Sequence, residues 1–477
     1  MIRRGARVAV VGGGVGGLTT AYRLLSDEAP IEVVVFETDE RAGGKLRSVN
    51  VGGLTLPAGA DSFVARKPWA VELCRELGLG GELVAPAARA AYLWTDHGLE
   101  AFPRDAPFGI PGDIGDVLRW PGLSRAGRTR AAKDLVMRAR KRERDESLGS
   151  LLRRRLGDEA TERAVAPLLE GLFAGDADRL SVRATFPELV EWERSQGSLI
   201  RGSQGATRNA HRADAGPMFV KPRGGVDRLT DALARSLGAR LRTRTSVANV
   251  GVSDDGYSLV LDGPGRLGEG ATAGQPPFDA VVIASPAFIA SDLLRGLAPQ
   301  AATDLASIPY ASTGVVLMVY PEGSQAGLPD GSGFVVPRGR APMTASTWLS
   351  SKWPDEDFGS RAVVRCYVGG VGAEDILDAD DADLIEACAR HLTAVVPLPP
   401  RPEHAAVVRW PRAMPQYEVG HADRLARIRA SLPAGIVVTG QAYDGVGVPD
   451  CVRAAGEAAA AVTAHLVAKR WAKETVR

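Results

Sequence analysis

The residues best suited to bind a charged ligand lie near the start of the chain, where glycines follow a short apolar run. Gly12, Gly14 and Gly17 form a Gly-x-Gly-x-x-Gly pattern, and Glu37 follows 20 positions after Gly17. In a strand–loop–helix unit such glycines permit a tight turn, close approach of a diphosphate to the backbone, and packing of the helix on the strand. A carboxylate at the end of the next strand accepts hydrogen bonds from a ribose. The pattern therefore predicts a dinucleotide site, and an acidic residue at position 37 disfavours NADP.

This chemistry needs a strand before the glycines, a helix after them and a second strand that ends at Glu37. Val8–Val11 is a short apolar run, and apolar residues at helical spacing extend from Leu18 to Leu25. Ile31–Phe36 is continuous and rich in β-branched residues, as expected of a parallel strand that is buried on both faces. Together the segments predict a βαβ unit of about 30 residues.

The rest of the chain predicts further helices and strands. Residues 111–210 lack strand-like alternation and are rich in Arg, Leu and Ala, so we expect them to be mostly helical. Strands are predicted at Leu241–Val250, Tyr257–Leu261, Ala280–Ala284, Val315–Tyr320, Gly333–Val336, Val363–Val368 and Ile436–Gly440, helices at Asp381–Val396 and Gly456–Arg470, and connections at Gly263–Pro277 and Pro397–Pro402. These elements indicate an α/β protein whose second sheet is mixed or antiparallel.

Composition limits the class of protein further. The 477 residues exceed what a single core of about 250–300 residues accommodates, so two or three modules are expected. The net charge of +1 disfavours a general nucleic-acid binder, although 13 basic and 4 acidic residues give residues 119–155 a local charge of +9. Three interpretations of this Arg-rich segment remain open: a solvated helix face, a membrane-surface patch, or an attractor for a polyanionic substrate.

Cysteine and histidine spacing bears on metals and on location. The four cysteines and six histidines show no CxxC pair and no histidines three or four residues apart, so no metal site is predicted. The cysteine usage indicates a reducing cytosol. The apolar stretch after Arg3-Arg4 is interrupted by glycines, and no run of 18 apolar residues occurs. We therefore expect a cytoplasmic protein, with peripheral membrane contact left open.

Several longer motifs resemble those of one family of flavoproteins. The segment from Glu37 through Arg41 to Gly43-Gly44 resembles the second dinucleotide motif of the amine oxidase superfamily. Three further segments resemble motifs of its protoporphyrinogen and coproporphyrinogen oxidases: Trp410–His421, which contains Pro-Gln-Tyr-x-x-Gly-His; Gly445–Val452; and Leu172–Asp176 followed by Leu180-Ser181. The resemblance extends over essentially the whole chain.

This resemblance implies a fold class and a domain organisation. The fold would be α/β, with a Rossmann-type FAD-binding domain, a mixed-sheet substrate domain and a helical insertion. The FAD-binding domain would be discontinuous and consist of residues 1–84, 222–290 and 427–477. The substrate domain would comprise residues 85–110, 211–221 and 291–426, and residues 111–210 would form the helical domain, facing a membrane or the entrance to the site.

The resemblance also implies FAD as the cofactor and a set of contacts to it. The expected cofactor-binding residues are Gly12, Gly13, Gly14, Val15, Gly16, Gly17, Glu37, Thr38, Arg41, Lys45, Gly59, Ala60, Asp61, Ser62, Val247, Trp410, Val446, Gly447 and Val448. For substrate, Arg89 is expected to bind a propionate and Tyr367 to contact the macrocycle. Asp61 departs from the arginine found there in some protoporphyrinogen oxidases, so the resemblance does not imply that propionate contact for this chain.

The implied activity is the oxidation of a porphyrinogen to a porphyrin in haem biosynthesis. Three two-electron steps pass hydride to flavin N5, molecular oxygen reoxidises the flavin, and hydrogen peroxide is released. No catalytic side chain is expected, because pyrrole conjugation stabilises the cation that hydride loss leaves behind. We expect coproporphyrinogen III as substrate. The alternatives are a protoporphyrinogen IX oxidase, a flavin amine oxidase and a non-enzymatic binding protein of the GDI type. Contact with other haem-pathway enzymes stays open.

Overall fold

The computed structural model describes residues 5–25, 31–88, 90–103, 105–140, 144–212, 216–262 and 276–475. Arg89 and residues 263–275 of the predicted connection therefore lie outside the described residues. The strands are β1 (Ala6–Val11), β2 (Ile31–Phe36), β3 (Ser48–Val51), β4 (Leu54–Pro57), β5 (Phe63–Val64), β6 (Leu83–Val84), β7 (Tyr92–Thr95), β8 (Gly98–Ala101), β9 (Phe219–Pro222), β10 (Leu241–Arg242), β11 (Ser246–Ser253), β12 (Gly256–Asp262), β13 (Ala280–Ile283), β14 (Tyr310–Val319), β15 (Gly333–Val335), β16 (Ala345–Trp348), β17 (Val363–Gly369), β18 (His404–Pro415) and β19 (Ile436–Val438).

The α-helices begin directly after β1 and end with a long C-terminal helix. They are α1 (Val15–Leu24), α2 (Pro68–Glu76), α3 (Ile114–Leu118), α4 (Arg125–Ala132), α5 (Leu148–Leu156), α6 (Asp158–Ala160), α7 (Ala166–Phe173), α8 (Val182–Thr185), α9 (Pro187–Gln196), α10 (Leu199–Arg212), α11 (Asp227–Leu237), α12 (Ala287–Leu294), α13 (Pro299–Ala306), α14 (Leu349–Lys352), α15 (Asp381–Val395), α16 (His421–Ser431) and α17 (Val448–Thr475). Within the described ranges, none of them is both long and apolar enough to cross a lipid bilayer.

A parallel five-stranded sheet positions the glycine loop. Its strand order is β10-β2-β1-β13-β19, with Val8 in register with Val33 on one side and with Ala280 on the other. Alternate residues of β1 enter different cores: Val8 and Val10 pack with α1, α2, α11 and α17, whereas Ala9 packs with α12, α13 and α16. Burial on both faces explains why β1 and β2 are almost uninterrupted apolar runs. The predicted Rossmann-type sheet is confirmed.

A second, mixed sheet carries the substrate-side residues. Its order is β18-β14-β17-β16-β15-β7-β8, and among the described strands only β15 and β7 pair in parallel. One face packs on α15 through Leu384, Cys388 and Leu392. The other face packs on β3 and β4 through Val51 and Leu56, and therefore faces the dinucleotide-binding part of the chain.

The helical insertion of residues 111–210 is mostly helical, as predicted, and contains α3 to α9 and most of α10. The apolar core of these helices also includes Leu93 and Tyr417. The Arg-rich segment is less solvated than a helix face would be. Arg155 is buried and donates from Nε to Asp134 Oδ1 at 2.5 Å. Arg154 pairs with Glu146 at 2.7 Å and with Glu193 at 2.5 Å. The interpretation as a solvated face is thus wrong for these two arginines, because carboxylates inside the insertion enclose them.

The predicted strand over residues 241–250 is interrupted in the structure. Arg242 ends β10, and the backbone turns through Arg244, whose φ is +53°, before β11 begins at Ser246. Arg244 N donates to Asp39 O and Thr245 N donates to Glu37 O, so the turn is tied to the end of β2. The chain leaves the parallel sheet here in order to start the β11–β12 hairpin.

Candidate cofactor site

The glycine loop joins β1 to α1 and has the steric properties that the sequence predicts. Gly12 has a φ of +109°, and a Cβ there would lie 2.9 Å from Ala284 O. A Cβ at Gly17 would lie 1.9 Å from Gly12 O, so only glycine permits this packing of α1 on β1. A Cβ at Gly14 would meet no atom within 4 Å. The space over Gly14 is therefore open to a ligand.

Glu37 lies at the end of β2, directly beside this loop. Its Oε2 accepts from Gly13 N at 2.7 Å, and its Oε1 accepts from Asp39 N at 2.8 Å. A carboxylate has about four lone-pair positions, so these two bonds leave room for ribose hydroxyls. Thr38 beside it is exposed. Arg41 points elsewhere, towards Asp231 of α11 at 3.7 Å.

A second glycine turn lies against the first. Gly43 N donates to Gly13 O at 2.8 Å, which places this turn beside the loop. Lys45 then extends inward, where its Nζ donates to Ala413 O and, at 2.7 Å, to Gln441 Oε1. Burial lowers the pKa of Lys45 to about 8. Residue 45 therefore links the N-terminal glycine turns to the C-terminal segments.

The strip of residues 59–62 passes beneath Lys45. A Cβ at Gly59 would lie 1.8 Å from Lys45 O, and Trp410 Nε1 donates to Ala58 O at 3.0 Å. Asp61 is buried. Its Oδ2 accepts from Lys352 Nζ at 2.8 Å. Burial disfavours the charged form of Asp61, but Lys352 and Arg365 outweigh this effect and hold the pKa of the carboxyl well below its usual range.

Arg365 and Tyr367 of β17 complete this charged cluster. Arg365 is buried and donates from Nη1 to Gly59 O at 2.7 Å and from Nη2 to the Tyr367 hydroxyl. The same hydroxyl lies 3.2 Å from Thr347 Oγ1. The partly buried Tyr367 ring packs in the core between the mixed sheet and β3–β4. The sequence predicts Tyr367 but neither Lys352 nor Arg365. The signal for Arg365 is a charged residue inside the apolar run of β17.

The C-terminal turn packs directly on the glycine loop. Gly440 Cα lies 3.4 Å from the position that a Cβ of Gly16 would occupy. The chain then passes through residues 441–447 into α17, which begins at Val448. Val446 packs against the core of the helical insertion, whereas Val448 is buried under the parallel sheet. Turn, loop and insertion therefore meet at this point.

Val247, another predicted cofactor contact, belongs to the core on the α12 side of the parallel sheet. Val247 is buried in β11, next to a register shift in its pairing with β12. The neighbouring Thr245 N donates to Glu37 O at 2.8 Å, which brings the start of β11 close to the expected ribose position. The structure thus places the glycine loop, Glu37, Lys45 and the C-terminal turn beside one another, whereas Arg41 points outward; the full set of cofactor contacts stays a prediction.

These observations fit a bound dinucleotide. The open space over Gly14 lies at the start of α1, whose first turn carries no acidic residue and whose N-cap makes no side-chain hydrogen bond. The positive end of a helix in that state favours a diphosphate. Fold and site together define a dinucleotide-binding protein of the Rossmann type whose C-terminal turn closes over the phosphate loop.

The chain belongs to the family of flavin containing amine oxidoreductases, which matches residues 15–463. Its cofactor is therefore a flavin, and the diphosphate cradle indicates FAD. The chain is 34% identical over 459 residues to the coproporphyrinogen III oxidase of Bacillus subtilis (strain 168), covering 93% of this chain and 95% of the relative. It is 30% identical to the chloroplastic protoporphyrinogen oxidase of Oryza sativa subsp. japonica, covering 97% and 90% of the two chains.

A solved structure from Exiguobacterium sp. 255-15, provisionally named a protoporphyrinogen oxidase, has the same fold. Its TM-score is 0.83 at 30% sequence identity, and the match covers 96% of this chain and 98% of the other. Its match therefore includes nearly all of both chains.

Proposed function

We propose that this chain oxidises coproporphyrinogen III to coproporphyrin III in haem biosynthesis. Six electrons leave the substrate in three two-electron steps, and three molecules of oxygen are reduced to three of hydrogen peroxide. The observation that carries the proposal is the near full-length similarity to the Bacillus subtilis enzyme, on a chain whose dinucleotide cradle is intact. An intact cradle also argues against a non-enzymatic binding protein.

The chain's own residues hold and orient the reactants. Residues 12–17 would hold the diphosphate and Glu37 the ribose, while residues 59–62 and 446–448 would border the flavin ring. Bound FAD supplies the hydride acceptor. Loss of hydride from a methylene bridge leaves a cation that pyrrole conjugation stabilises, and a pyrrole N–H proton can leave to water, so no side-chain base is required. Orientation of a meso carbon is then the main catalytic contribution of the protein.

Tyr367 is the proposed contact to the macrocycle. Its hydroxyl is fixed by Arg365 and lies 3.2 Å from Thr347 Oγ1, so its ring is held in one orientation. Arg89 remains the proposed partner of a propionate. Coproporphyrinogen III carries four carboxylates and protoporphyrinogen IX two, so additional basic groups would favour the former.

Oxidation of protoporphyrinogen IX is the second candidate activity. Its specific support is the similarity to the chloroplastic enzyme of Oryza sativa, which covers 97% of this chain. Oxidation of an amine would require an aromatic cage around the substrate nitrogen. The motif resemblance that favours porphyrinogens extends over several segments, so we rank amine oxidation third.

Anaerobic mixing of the purified holoenzyme with each porphyrinogen tests the proposal. Reduction of the flavin is followed by loss of its absorbance near 450 nm, with the oxidised porphyrin as the matched control. Faster bleaching by coproporphyrinogen III supports the proposed activity, and faster bleaching by protoporphyrinogen IX supports the second candidate. No bleaching by either would contradict both, and a colourless protein would support the GDI-type alternative.

The proposed location is the cytoplasm, with molecular oxygen as electron acceptor. All four cysteines are buried as free thiols, which suits a reducing compartment. We also propose that the protein contacts a membrane surface and enzymes that precede or follow it in the same pathway. Detergent-free fractionation of cells tests the first of these contacts, and co-purification with the enzyme that uses coproporphyrin tests the second.

A further inference from the structure

The segment of residues 415–421, here called the junction segment, contacts three parts of the molecule. It continues from β18 of the mixed sheet. Gln416 Nε2 donates to Phe173 O at 2.9 Å, and Ser181 N donates to Tyr417 O at 2.7 Å, which ties the segment to the helical insertion. The third contact is to the C-terminal turn. The Pro-Gln-Tyr-x-x-Gly-His motif, which has no role in the proposed chemistry, therefore lies where the mixed sheet, the helical insertion and the C-terminal turn meet.

The Tyr417 hydroxyl makes the contact to the C-terminal turn. It donates to Gln441 O at 2.6 Å and accepts from Gly445 N at 2.9 Å. These two partners lie at the two ends of residues 441–445, so a single oxygen fixes the width of the turn. Gly445 has a φ of +130°, and its N–H donates to the Tyr417 hydroxyl in this backbone conformation.

His421 fixes the plane of the Tyr417 ring. The two rings stack at 4.1 Å with an interplanar angle of 13°. Burial lowers the pKa of His421 to about 4, so the imidazole is neutral at pH 7. Its Nε2 lies 3.4 Å from Tyr443 O, and its buried Nδ1 has no hydrogen-bond partner among the residues that the structure describes. A neutral, fully packed ring therefore limits the rotation of Tyr417.

The turn that Tyr417 holds is itself in contact with the cofactor cradle. Gln441 Oε1 accepts from Lys45 Nζ at 2.7 Å, and Gly440 packs on Gly16. Beyond Gly445 the chain runs into the N-terminus of α17, whose first turn contains Asp450. Lys67 pairs with Asp450 at 2.9 Å, so the partial positive charge of the helix still favours negative charge on a ligand. A change in the width of the turn would therefore move the helix terminus relative to the cradle.

We infer that Tyr417 is a positioning residue that sets the flavin-end turn through its hydroxyl, and thereby favours the reduced, more negatively charged state of FAD. The inference rests on the proposed FAD site and is independent of which porphyrinogen is oxidised. Tyr417 acts through backbone groups of the turn and takes no part in the transfer of hydride or protons.

The test compares the two-electron reduction potential of FAD in the wild-type holoenzyme and in Tyr417→Phe. Phenylalanine keeps the ring stack but leaves Gly445 N and Gln441 O without this partner. We expect reduced FAD to lose about tenfold in affinity relative to oxidised FAD, which for two electrons is a potential about 30 mV more negative. The matched control is Tyr257→Phe. It removes a hydroxyl that donates to Ala434 O at 2.6 Å and makes no hydrogen bond with the turn of residues 441–445.

Loss of thermal stability without a change in potential would assign Tyr417 a packing role only and would overturn the inference. An equal shift in Tyr257→Phe would overturn it as well. If Tyr417→Phe does not fold, His421→Ala, which removes the stacked ring, is measured in its place, and an unchanged potential there also overturns it. Photochemical reduction needs no porphyrinogen, so failure of the proposed function leaves this result interpretable.

Discussion

At the scale of single residues, Asp61 is the carboxylate that balances two buried cations. It contacts Lys352 at 2.8 Å and Arg365 at 3.5 Å, and all three side chains are at most 15% exposed. We predict that Asp61→Asn destabilises the protein by about 3–5 kcal/mol, because it leaves two buried positive charges without an anion. Urea unfolding at pH 7 measures the change.

The control for Asp61→Asn is a substitution in a surface ion pair with a similar N–O distance. Glu191 and Arg194 lie 2.7 Å apart and are 50% and 76% exposed. Glu191→Gln is expected to leave the free energy of unfolding almost unchanged, because solvent screens an exposed ion pair. A loss for Asp61→Asn no larger than this control would show that the cluster has no energetic importance.

Lys45 makes stability depend on pH in the alkaline range. Its pKa is about 8 in the folded protein, because burial disfavours the ammonium, against an ordinary value of 10.5. Between pH 8 and 10 the unfolded chain therefore binds more protons at this residue, so its contribution to stability rises with pH. We predict a rise of about 2 kcal/mol across that window in wild type that is missing in Lys45→Met. Unfolding free energies at pH 8 and 10 measure it, and parallel pH profiles would contradict it.

The sequence identified site residues where one motif contains both the residue and its reason. Gly12, Gly17 and Glu37 belong to one βαβ unit, so their spacing alone predicts their roles. Lys352 was missed because it reaches Asp61 across 291 residues of chain. Nothing local to α14 distinguishes Lys352 from a solvated lysine, since its partner and its burial arise only when the mixed sheet packs on residues 59–62.

At the scale of elements, the β1–α1 loop separates a ligand-binding glycine from a packing glycine. A Cβ at Gly14 projects into open space, whereas one at Gly17 would overlap Gly12 O. We predict that Gly14→Ala folds with stability within about 1 kcal/mol of wild type yet loses at least tenfold in FAD affinity, because the methyl group occupies the diphosphate path. Gly17→Ala is expected to lose about 3 kcal/mol of stability.

The flavin-to-protein absorbance ratio and the unfolding midpoint of each variant measure these outcomes. Gly456→Ala is the matched control, because a Cβ there meets nothing within 4 Å in the interior of α17. It should be neutral or slightly stabilising and should keep its FAD. Full FAD content in Gly14→Ala would place the diphosphate elsewhere.

Elements were predicted well where the sequence contains a strong apolar pattern, and poorly where tertiary contacts determine the secondary structure. β1, β2 and β13 are buried on both faces, and their apolar runs predicted them within a residue or two. The strand β18 was not predicted, because it lies at the edge of its sheet, is mostly half-buried and contains two prolines. The C-terminal helix begins eight residues before the predicted start, at Val448, which precedes Pro449.

At the scale of the whole molecule, the parallel sheet contains strands from residues 6–438. The cofactor cradle is therefore built from segments near both ends of the chain. The discontinuous domain ranges remain a prediction, since the strands fix which segments meet and leave the boundaries between them open.

The Arg-rich segment also depends on contacts with other parts of the chain. Arg153 pairs with Asp178 and Arg154 with Glu193, two carboxylates outside residues 119–155, so part of the local charge of +9 is paired on folding.

The exposed remainder of the segment still allows long-range attraction of a polyanionic substrate. Arg125, Arg138 and Arg144 are exposed. We predict that replacing these three by Gln lowers kcat/KM for coproporphyrinogen III about three- to tenfold at roughly 20 mM salt, because steering raises the rate of encounter. At about 0.5 M salt the difference should vanish, since the Debye length falls below about 5 Å. Steady-state kinetics at the two salt concentrations measure the effect.

Two comparisons distinguish electrostatic steering by the Arg-rich segment from an effect of the protein's net charge. One varies the charge of the substrate, and the other varies the position of the replaced arginines. A tetracarboxylate should lose more than the dicarboxylate protoporphyrinogen IX, because the encounter energy scales with ligand charge. The control removes the same charge elsewhere, from exposed arginines on other elements: Arg240, Arg295 and Arg390. Equal losses in the two triple variants would mean that the net charge of the protein attracts the substrate and that the Arg-rich segment has no special position. A loss that persists at high salt would instead mean direct contact between these arginines and the bound porphyrinogen.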